Sequence, residues 1–250
     1  MLYELPKPLL LAHRGASAYA PENTLAAFQL AIQQGAHGVE LDAKLSADGE
    51  IMVMHDASVD RTTNGSGKVN ELPLAALREL DASFHSDGKY PGQKIPTLAE
   101  TLETLGREVY VNIELTNYSS PRDRLPEMAA ALVEKMDLQS SVLFSSFLPG
   151  NLHRVRRMMP DARVAMLAYP GIMGWIGRGW IGRRAAPEIV HPYRDDVGPD
   201  YIRREHKLGR RIHAWTVDSP NEAKAFLLMG IDGLISDDPP AMLRVIEEVR

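Results

Sequence analysis

Short apolar runs alternate with helical patterns along the whole chain, and this alternation most constrains the fold. Strands are predicted at residues 9–13, 38–45, 109–116, 142–147, 163–169, 188–191, 211–217 and 233–236. Most are followed by a predicted helix, at residues 23–34, 96–106, 122–136, 151–159, 199–208, 220–229 and 241–249. Alternating strands and helices indicate an α/β protein with a parallel sheet.

Eight such units in 250 residues predict a TIM (β/α)8 barrel. A doubly wound open sheet is the alternative, but no glycine-rich phosphate loop follows the first strand. A further apolar run at residues 51–55 is predicted to form a hairpin with the second strand. The polar segment 57–95 is long for a connection, so we expect a small insertion within a single domain spanning residues 1–250.

Composition narrows the classes of function. The chain has no cysteine, which excludes disulfides, thiolate metal sites and cysteine nucleophiles. Its net charge of −5 and the lack of a large basic block argue against nucleic-acid binding. The chain contains no run of about 18 apolar residues, so we expect no transmembrane helix. The first residues lack a signal-peptide pattern. A cytoplasmic protein is the expectation.

Polar side chains gather where the predicted strands end. His13 and Arg14 close the first strand, and alternation along the second strand turns Glu40 and Asp42 to one face. Two carboxylates so close repel each other unless a cation or proton lies between them. Divalent cations such as Mg²⁺ or Ca²⁺ prefer oxygen ligands of this kind.

The hairpin is expected to bring a second histidine to these carboxylates. Asp48-Gly49 is a typical two-residue turn. With these two residues as the turn, Ala47 would pair with Glu50, and counting back along both strands places His55 opposite Asp42.

Later strands are expected to place further functional side chains at the same end of the barrel. Glu114 is a carboxylate inside an apolar strand, which is costly unless a charge or a metal compensates it. Phe147 and Trp215 lie near the ends of two further strands and form an expected aromatic wall. Active sites of TIM barrels lie at the carboxyl ends of the strands. Two histidines, an arginine and a metal there suit acid/base chemistry at a phosphate ester.

The chain resembles the glycerophosphodiester phosphodiesterases. The matching stretches are AHRGASAYAPENT, GVELDAKLSADGEIMVMHD, RTTNGSG, IPTLAETL, VNIEL, SSF, WTVD and DGLISDDP, in the family's order from residue 12 to 239. The resemblance implies a TIM barrel that hydrolyses a glycerophosphodiester, a small molecule, to glycerol 3-phosphate and an alcohol. It also implies a general acid/base pair, His13 and His55.

The resemblance further implies that Glu40, Asp42 and Glu114 bind one divalent cation, Mg²⁺, Ca²⁺ or Mn²⁺, and that Arg14 holds the phosphate. Phe147 and Trp215 are the expected substrate-binding wall. The family usually has a lysine where this chain has Thr116. Either a cation from elsewhere replaces it, with Arg194, Lys44 and Lys89 as candidates, or the activity is reduced or redirected.

Other interpretations remain open. One is a phosphodiesterase similar to lysophospholipase D or sphingomyelinase D, and another is a barrel that binds phosphate without catalysis. Asp237 and Asp238 are expected to cap the last helix rather than to act in catalysis. Residues 170–184 contain GWIGRGWIGRR, which forms either a packed loop and helix or an exposed aromatic and basic lip with weak contact to a membrane interface.

Overall fold

The computed structural model describes residues 5–107, 109–168, 171 and 187–250. The strands are β1 (Leu9–His13), β2 (Gly38–Leu45), β3 (Ile51–Val53), β4 (Tyr110–Leu115), β5 (Val142–Ser146), β6 (Arg163–Ala168), β7 (Ile189–Pro192), β8 (Arg211–Ala214) and β9 (Gly233–Ser236). The helices of this part of the chain are α1 (Leu25–Gln33), α2 (Leu74–Glu79), α3 (Leu98–Leu105), α4 (Leu125–Lys135), α5 (Pro149–Met158), α6 (Pro199–Lys207), α7 (Pro220–Leu228) and α8 (Pro239–Val249).

Eight parallel strands close into a barrel, as the alternation predicted. The sheet order is β1-β9-β8-β7-β6-β5-β4-β2-β3, and a further pairing of β1 with β2 closes it. β3 pairs antiparallel with β2 outside this closed ring. The open-sheet alternative is therefore wrong, and the carboxyl ends of the eight barrel strands meet at one mouth.

Side chains of β1 point alternately into the barrel and out toward the helices. Leu9 and Leu11 belong to an apolar cluster inside the barrel, whereas Leu10 packs against the outer helices α6 to α8. His13 has the same parity as Leu9 and Leu11, so its side chain points inward at the mouth. The same rule turns Glu40 and Asp42 inward from β2.

Local capping sets where the helices begin. Thr24 accepts a hydrogen bond from the backbone of Ala27 and caps α1. Thr97 and Glu100 form a capping box at α3, and Asp238 caps α8. Such caps satisfy backbone N–H groups that have no partner within the helix.

Residues 57–95 pack as a small layer beside the β2–β3 hairpin. They include α2 and a short 3-10 turn, Val69–Glu71. Val59, Val69, Leu77 and Ile95 form a separate apolar cluster with Met52 from β3. The segment thus lies against one side of the barrel mouth.

Two findings concern membranes. In the described ranges, no helix combines the length and the apolar character needed to cross a bilayer. The segment GWIGRGWIGRR, expected to form either a packed loop and helix or an exposed aromatic and basic lip, lies within residues 172–186, outside the described residues.

Candidate active site

A sharp turn after β1 presents His13 and Arg14 at the barrel mouth. Arg14 and Gly15 both have positive φ angles, 56° and 84°. A Cβ on Gly15 would lie 2.6 Å from the backbone carbon of Ala27, so a larger residue would clash. The turn needs glycine at this position for both reasons. The turn places His13 and Arg14 at the barrel mouth, where β1 ends.

Three carboxylates converge beside this turn. Glu40, Asp42 and Glu114 each offer an oxygen within 4.8 Å of the others. The parallel register pairs Asp42 with Glu114 directly. The strand alternation predicted this grouping because all three residues face into the barrel.

The electrostatics of this cluster favour a bound cation. Burial, followed by repulsion from Asp42, raises the pKa of Glu114 to about 8. Burial and the charges of Asp42 and Glu114 also raise the pKa of Glu40 well above its usual value. Carboxylates forced together in this way are the hard oxygen donors that a divalent cation prefers. The donor set therefore fits one such ion.

Arg14 contacts two of these carboxylates. Its backbone N–H donates to Glu40 Oε2 at 3.1 Å, and its Nε lies 3.4 Å from Asp42 Oδ2. Burial alone would lower the pKa of Arg14, but Asp42 and Glu22 outweigh it and raise the pKa. The guanidinium is a fixed positive charge beside the cluster.

Asn23 has a different place from the one predicted. The helix predicted to begin at residue 23 begins at Leu25 instead, and Thr24 caps it. Asn23 has a φ of 56°, its Nδ2 donates to Asp42 Oδ2 at 2.8 Å, and its Oδ1 accepts from the Asp42 backbone at 3.3 Å. It orients a carboxylate of the cluster, a role that capping preferences do not reveal.

His13 has a carboxylate partner from the far end of the chain. Its Nδ1 lies 2.6 Å from Asp237 Oδ1, which also accepts from Ser17 Oγ at 2.9 Å. Burial alone would raise the pKa of Asp237, but the hydrogen bond with His13 lowers it. An ionised carboxylate only accepts, so the proton lies on Nδ1 and Nε2 can accept. Nε2 lies 4.0 Å from Glu40.

Asp237 corrects the prediction that both aspartates cap the last helix. Asp238 does so and accepts from Ala241. Asp237 follows β9, the strand that pairs with β1 and closes the barrel, so it lies beside His13.

His55 repeats the arrangement of His13. Its Nδ1 lies 2.6 Å from Asp56 Oδ1. The hydrogen bond from Arg61 lowers the pKa of Asp56 to about 2. The ionised carboxylate again places the proton on Nδ1 and leaves Nε2 free to accept.

Arg61 joins the two histidine-bearing segments. It donates from Nε to Asp56 at 2.6 Å, and its Nη1 and Nη2 both lie 2.7 Å from Glu22. Glu22 in turn accepts from Arg14 Nη1 at 3.0 Å. A chain of ion pairs therefore runs from the segment 57–95 across the mouth to Arg14.

The predicted hairpin register is wrong by one residue. β3 pairs Val53 with Ala43, and Ser46 donates its backbone N–H to Glu50, so the loop has three residues. A hydrogen bond from Ser46 Oγ to Asp48 and a φ of 90° at Gly49 support this longer turn. Met54, not His55, bonds to Asp42, and His55 reaches the cavity from just beyond the paired residues.

An aromatic wall encloses the other side of a cavity of about 270 Å³. Phe147 and Trp215 are in edge-to-face contact, with ring centroids 5.7 Å apart. Tyr118 meets Phe147 in the same way and donates its hydroxyl to Glu114 at 2.6 Å. His13, Arg14, Glu40, Glu114, His55, Phe147 and Trp215 all line this cavity.

Several residues of the site were not assigned to it from the sequence. They are Glu22, Asn23, Arg61 and Tyr118, and the carboxylate partners of the two histidines, Asp56 and Asp237, raise the number to six. Tyr118 lies just past the end of β4, where the strand-end rule for barrels could have found it. Arg61 opens the matching stretch RTTNGSG, but the strand-end rule does not reach it because it comes from the segment outside the barrel.

The comparisons with known proteins agree with this geometry. Residues 13–241 match the model of the glycerophosphoryl diester phosphodiesterase family. A glycerophosphodiester phosphodiesterase of Caldanaerobacter subterraneus is 34% identical over 97% of this chain and 99% of its own. One from Bacillus altitudinis is 32% identical over 96% of this chain and 99% of its own.

A solved structure gives the same result for the fold. A phosphodiesterase of Oleispira antarctica, solved in complex with the product sn-glycerol-3-phosphate, superposes with a TM-score of 0.86. It is 30% identical and covers 96% of this chain and 97% of its own. The chain therefore belongs to the glycerophosphoryl diester phosphodiesterase family.

Proposed function

We propose that this protein hydrolyses glycerophosphodiesters to glycerol 3-phosphate and an alcohol. The observation that carries the proposal is the pair of histidines, each with Nδ1 bound to a carboxylate, beside a buried carboxylate cluster and Arg14. Two bases, an oxygen-donor metal site and a guanidinium are the parts that phosphodiester hydrolysis needs.

In this proposal Glu40, Asp42 and Glu114 hold one divalent cation, Mg²⁺, Ca²⁺ or Mn²⁺. The fit rests on three carboxylates within 4.8 Å of one another and on the raised pKa of Glu40 and Glu114. When bound, such an ion neutralises charge that grows on the phosphoryl oxygens. Arg14 binds the phosphate from the side of the β1 turn.

His13 and His55 divide the proton transfers. One takes the proton of the attacking hydroxyl, here the substrate's own glycerol 2-hydroxyl, as the new bond to phosphorus forms. The other donates a proton to the leaving alkoxide as its bond to phosphorus breaks. The product is a cyclic phosphate, which water opens with the two roles exchanged. Phe147 and Trp215 pack against the carbon atoms of the substrate.

The test is release of glycerol 3-phosphate from glycerophosphocholine and glycerophosphoethanolamine, with EDTA, Mg²⁺, Ca²⁺ or Mn²⁺. We expect metal-dependent release that falls by at least about 10³-fold in His13→Ala and His55→Ala. His153→Ala removes an exposed histidine from α5 and is the matched control. Binding of the diester without release under every metal condition would instead identify a phosphate-binding barrel.

A further inference from the structure

Lys44 is a buried cation that has no assigned role in the proposed reaction. It follows Asp42 on the same face of β2 and is 7% exposed. Its Nζ donates to the backbone carbonyl of His55 at 2.6 Å. Since an ammonium has three N–H groups, this bond leaves two of them for other partners. Burial of a lysine at such a place is costly unless its charge is compensated.

The carboxylates around Lys44 supply part of that compensation. Asp42, Asp56 and Glu114 lie close enough to act on its charge and oppose the effect of burial, which lowers its pKa. These residues include two of the proposed metal ligands and the carboxylate partner of His55. Lys44 is thus placed between the metal cluster and one of the two proposed catalytic bases.

Thr116 occupies the corresponding position on the neighbouring strand. The register pairs Ala43 with Leu115, which brings Lys44 beside Thr116. Thr116 Oγ1 donates to the carbonyl of Ala43 at 2.8 Å, so its hydroxyl is bound to the strand backbone. This cross-strand pair therefore contributes a single positive charge, and β2 supplies it.

The other cations considered for this part of the site are engaged elsewhere. Lys89 is 71% exposed and pairs with Asp87 at 2.7 Å. Arg194 lies 3.6 Å from Glu222. Within the described residues, the ion pairs and side-chain hydrogen bonds of Lys89 and Arg194 go to other groups than the carboxylate cluster and His55.

We propose that Lys44 is a positioning residue of the reaction, which fixes the backbone of His55 and balances the charge of the metal-binding carboxylates. The inference rests on the proposed function for its effect on turnover. Its effect on metal binding is independent of that function, because a positive charge beside the cluster repels a divalent ion. A merely structural lysine would have the opposite effect, since loosening the site would weaken the ion's binding.

The experiment compares wild type with Lys44→Met, which keeps the length of the side chain and removes its charge. Two quantities are measured: Mn²⁺ affinity by calorimetry, and kcat on glycerophosphoethanolamine. We expect kcat to fall by at least about tenfold, while Mn²⁺ binds about three- to tenfold more tightly. Lys89→Met is the matched control and leaves both unchanged.

A charge swap separates the electrostatic role from packing. Lys44→Thr combined with Thr116→Lys moves the ammonium to the adjacent strand at the same level. We expect Lys44→Thr alone to lose kcat and to bind Mn²⁺ more tightly than the wild type. The double variant should regain most of the kcat and return the Mn²⁺ affinity to the wild-type value. Unfolding curves followed by circular dichroism establish that each variant is folded.

The inference would be overturned by weaker Mn²⁺ binding in Lys44→Met, or by a kcat of Lys44→Met equal to that of an active wild type. Failure of the swap to restore either quantity would do the same. If the wild type hydrolyses no glycerophosphodiester with any metal, the proposed function fails. The shift in Mn²⁺ affinity then still decides whether Lys44 balances the charge of the cluster.

Discussion

The Nδ1 atom of His13 lies 2.6 Å from Oδ1 of Asp237, although 224 positions separate the two residues in the chain. The contact exists because β9 pairs with β1 where the barrel closes. A carboxylate on Nδ1 holds the ring in one orientation and one tautomer, with Nε2 toward Glu40.

Asp237→Asn should therefore lower kcat much more than it raises KM. The amide can donate to Nδ1 and so favour the wrong tautomer, and we expect a loss of about 10²- to 10⁴-fold by analogy with other histidine–aspartate pairs. Steady-state kinetics on a glycerophosphodiester measures this. Asp238→Asn makes the same chemical change one residue later and keeps a good helix cap, so equal losses in both variants would contradict the orienting role.

Glu40→Gln should stabilise the metal-free protein and abolish metal binding. The raised pKa of Glu40 means that its ionised form is costly in the folded state. A raised folded pKa gives stability at low pH that is lost as pH rises, so the gain in Glu40→Gln should grow with pH. Thermal unfolding in EDTA should show a higher midpoint than wild type, and added Mg²⁺ should no longer raise it.

Glu50→Gln is the control for that measurement, because Glu50 is an exposed glutamate in the hairpin. Its unfolding midpoint should follow that of the wild type with and without Mg²⁺. A lower midpoint for metal-free Glu40→Gln would mean that its carboxylate is compensated without the ion.

Asn23 should be needed for metal affinity through its two hydrogen bonds to Asp42. Partners that orient a metal ligand commonly account for about 10- to 100-fold in affinity, so Asn23→Gly should bind Mn²⁺ more weakly by that factor. Glycine accepts the φ of 56° without strain, which separates the lost amide from backbone effects. Asn64→Gly, in the segment beside the barrel, should bind Mn²⁺ as the wild type does.

Acid should destabilise the protein through His191. Burial lowers its pKa to about 3, and it is fully buried beside His213. The unfolded chain takes up the proton near pH 6.5, so stability is present above that pH and is lost as pH falls toward 3. Between pH 7 and 4.5 this amounts to about 2 kcal/mol.

His191→Leu should remove that part of the acid sensitivity. Urea unfolding at pH 7 and pH 4.5 gives the free energy of unfolding for wild type and variant. The difference between the two pH values should be smaller in His191→Leu by about 2 kcal/mol. His153→Leu alters an exposed histidine and should keep the wild-type difference.

The hairpin shows where reasoning from local sequence stops. The turn was placed correctly at Asp48 and Gly49, but the loop has three residues rather than two. Side-chain hydrogen bonds of Ser46 shift the pairing by one residue. His55 nevertheless lines the cavity, because it follows Met54, whose N–H donates to Asp42, and lies beyond the paired residues.

The sequence by itself determined the barrel and the inward faces of its strands. Alternation with a period of two is a property of each strand alone, so it is enough to turn Glu40, Asp42 and Glu114 toward the same interior. The order of strands and helices likewise indicates a parallel sheet, and the number of units favours a barrel over an open sheet.

Only the tertiary structure decided which of these side chains meet. His13 forms a hydrogen bond with Asp237, Tyr118 forms one with Glu114, and Lys44 lies beside Thr116. Each pairing depends on the register between strands and on the closure of β9 against β1. Those are long-range packing choices, settled by the fit of whole strands and helices, and no local pattern in the chain encodes them.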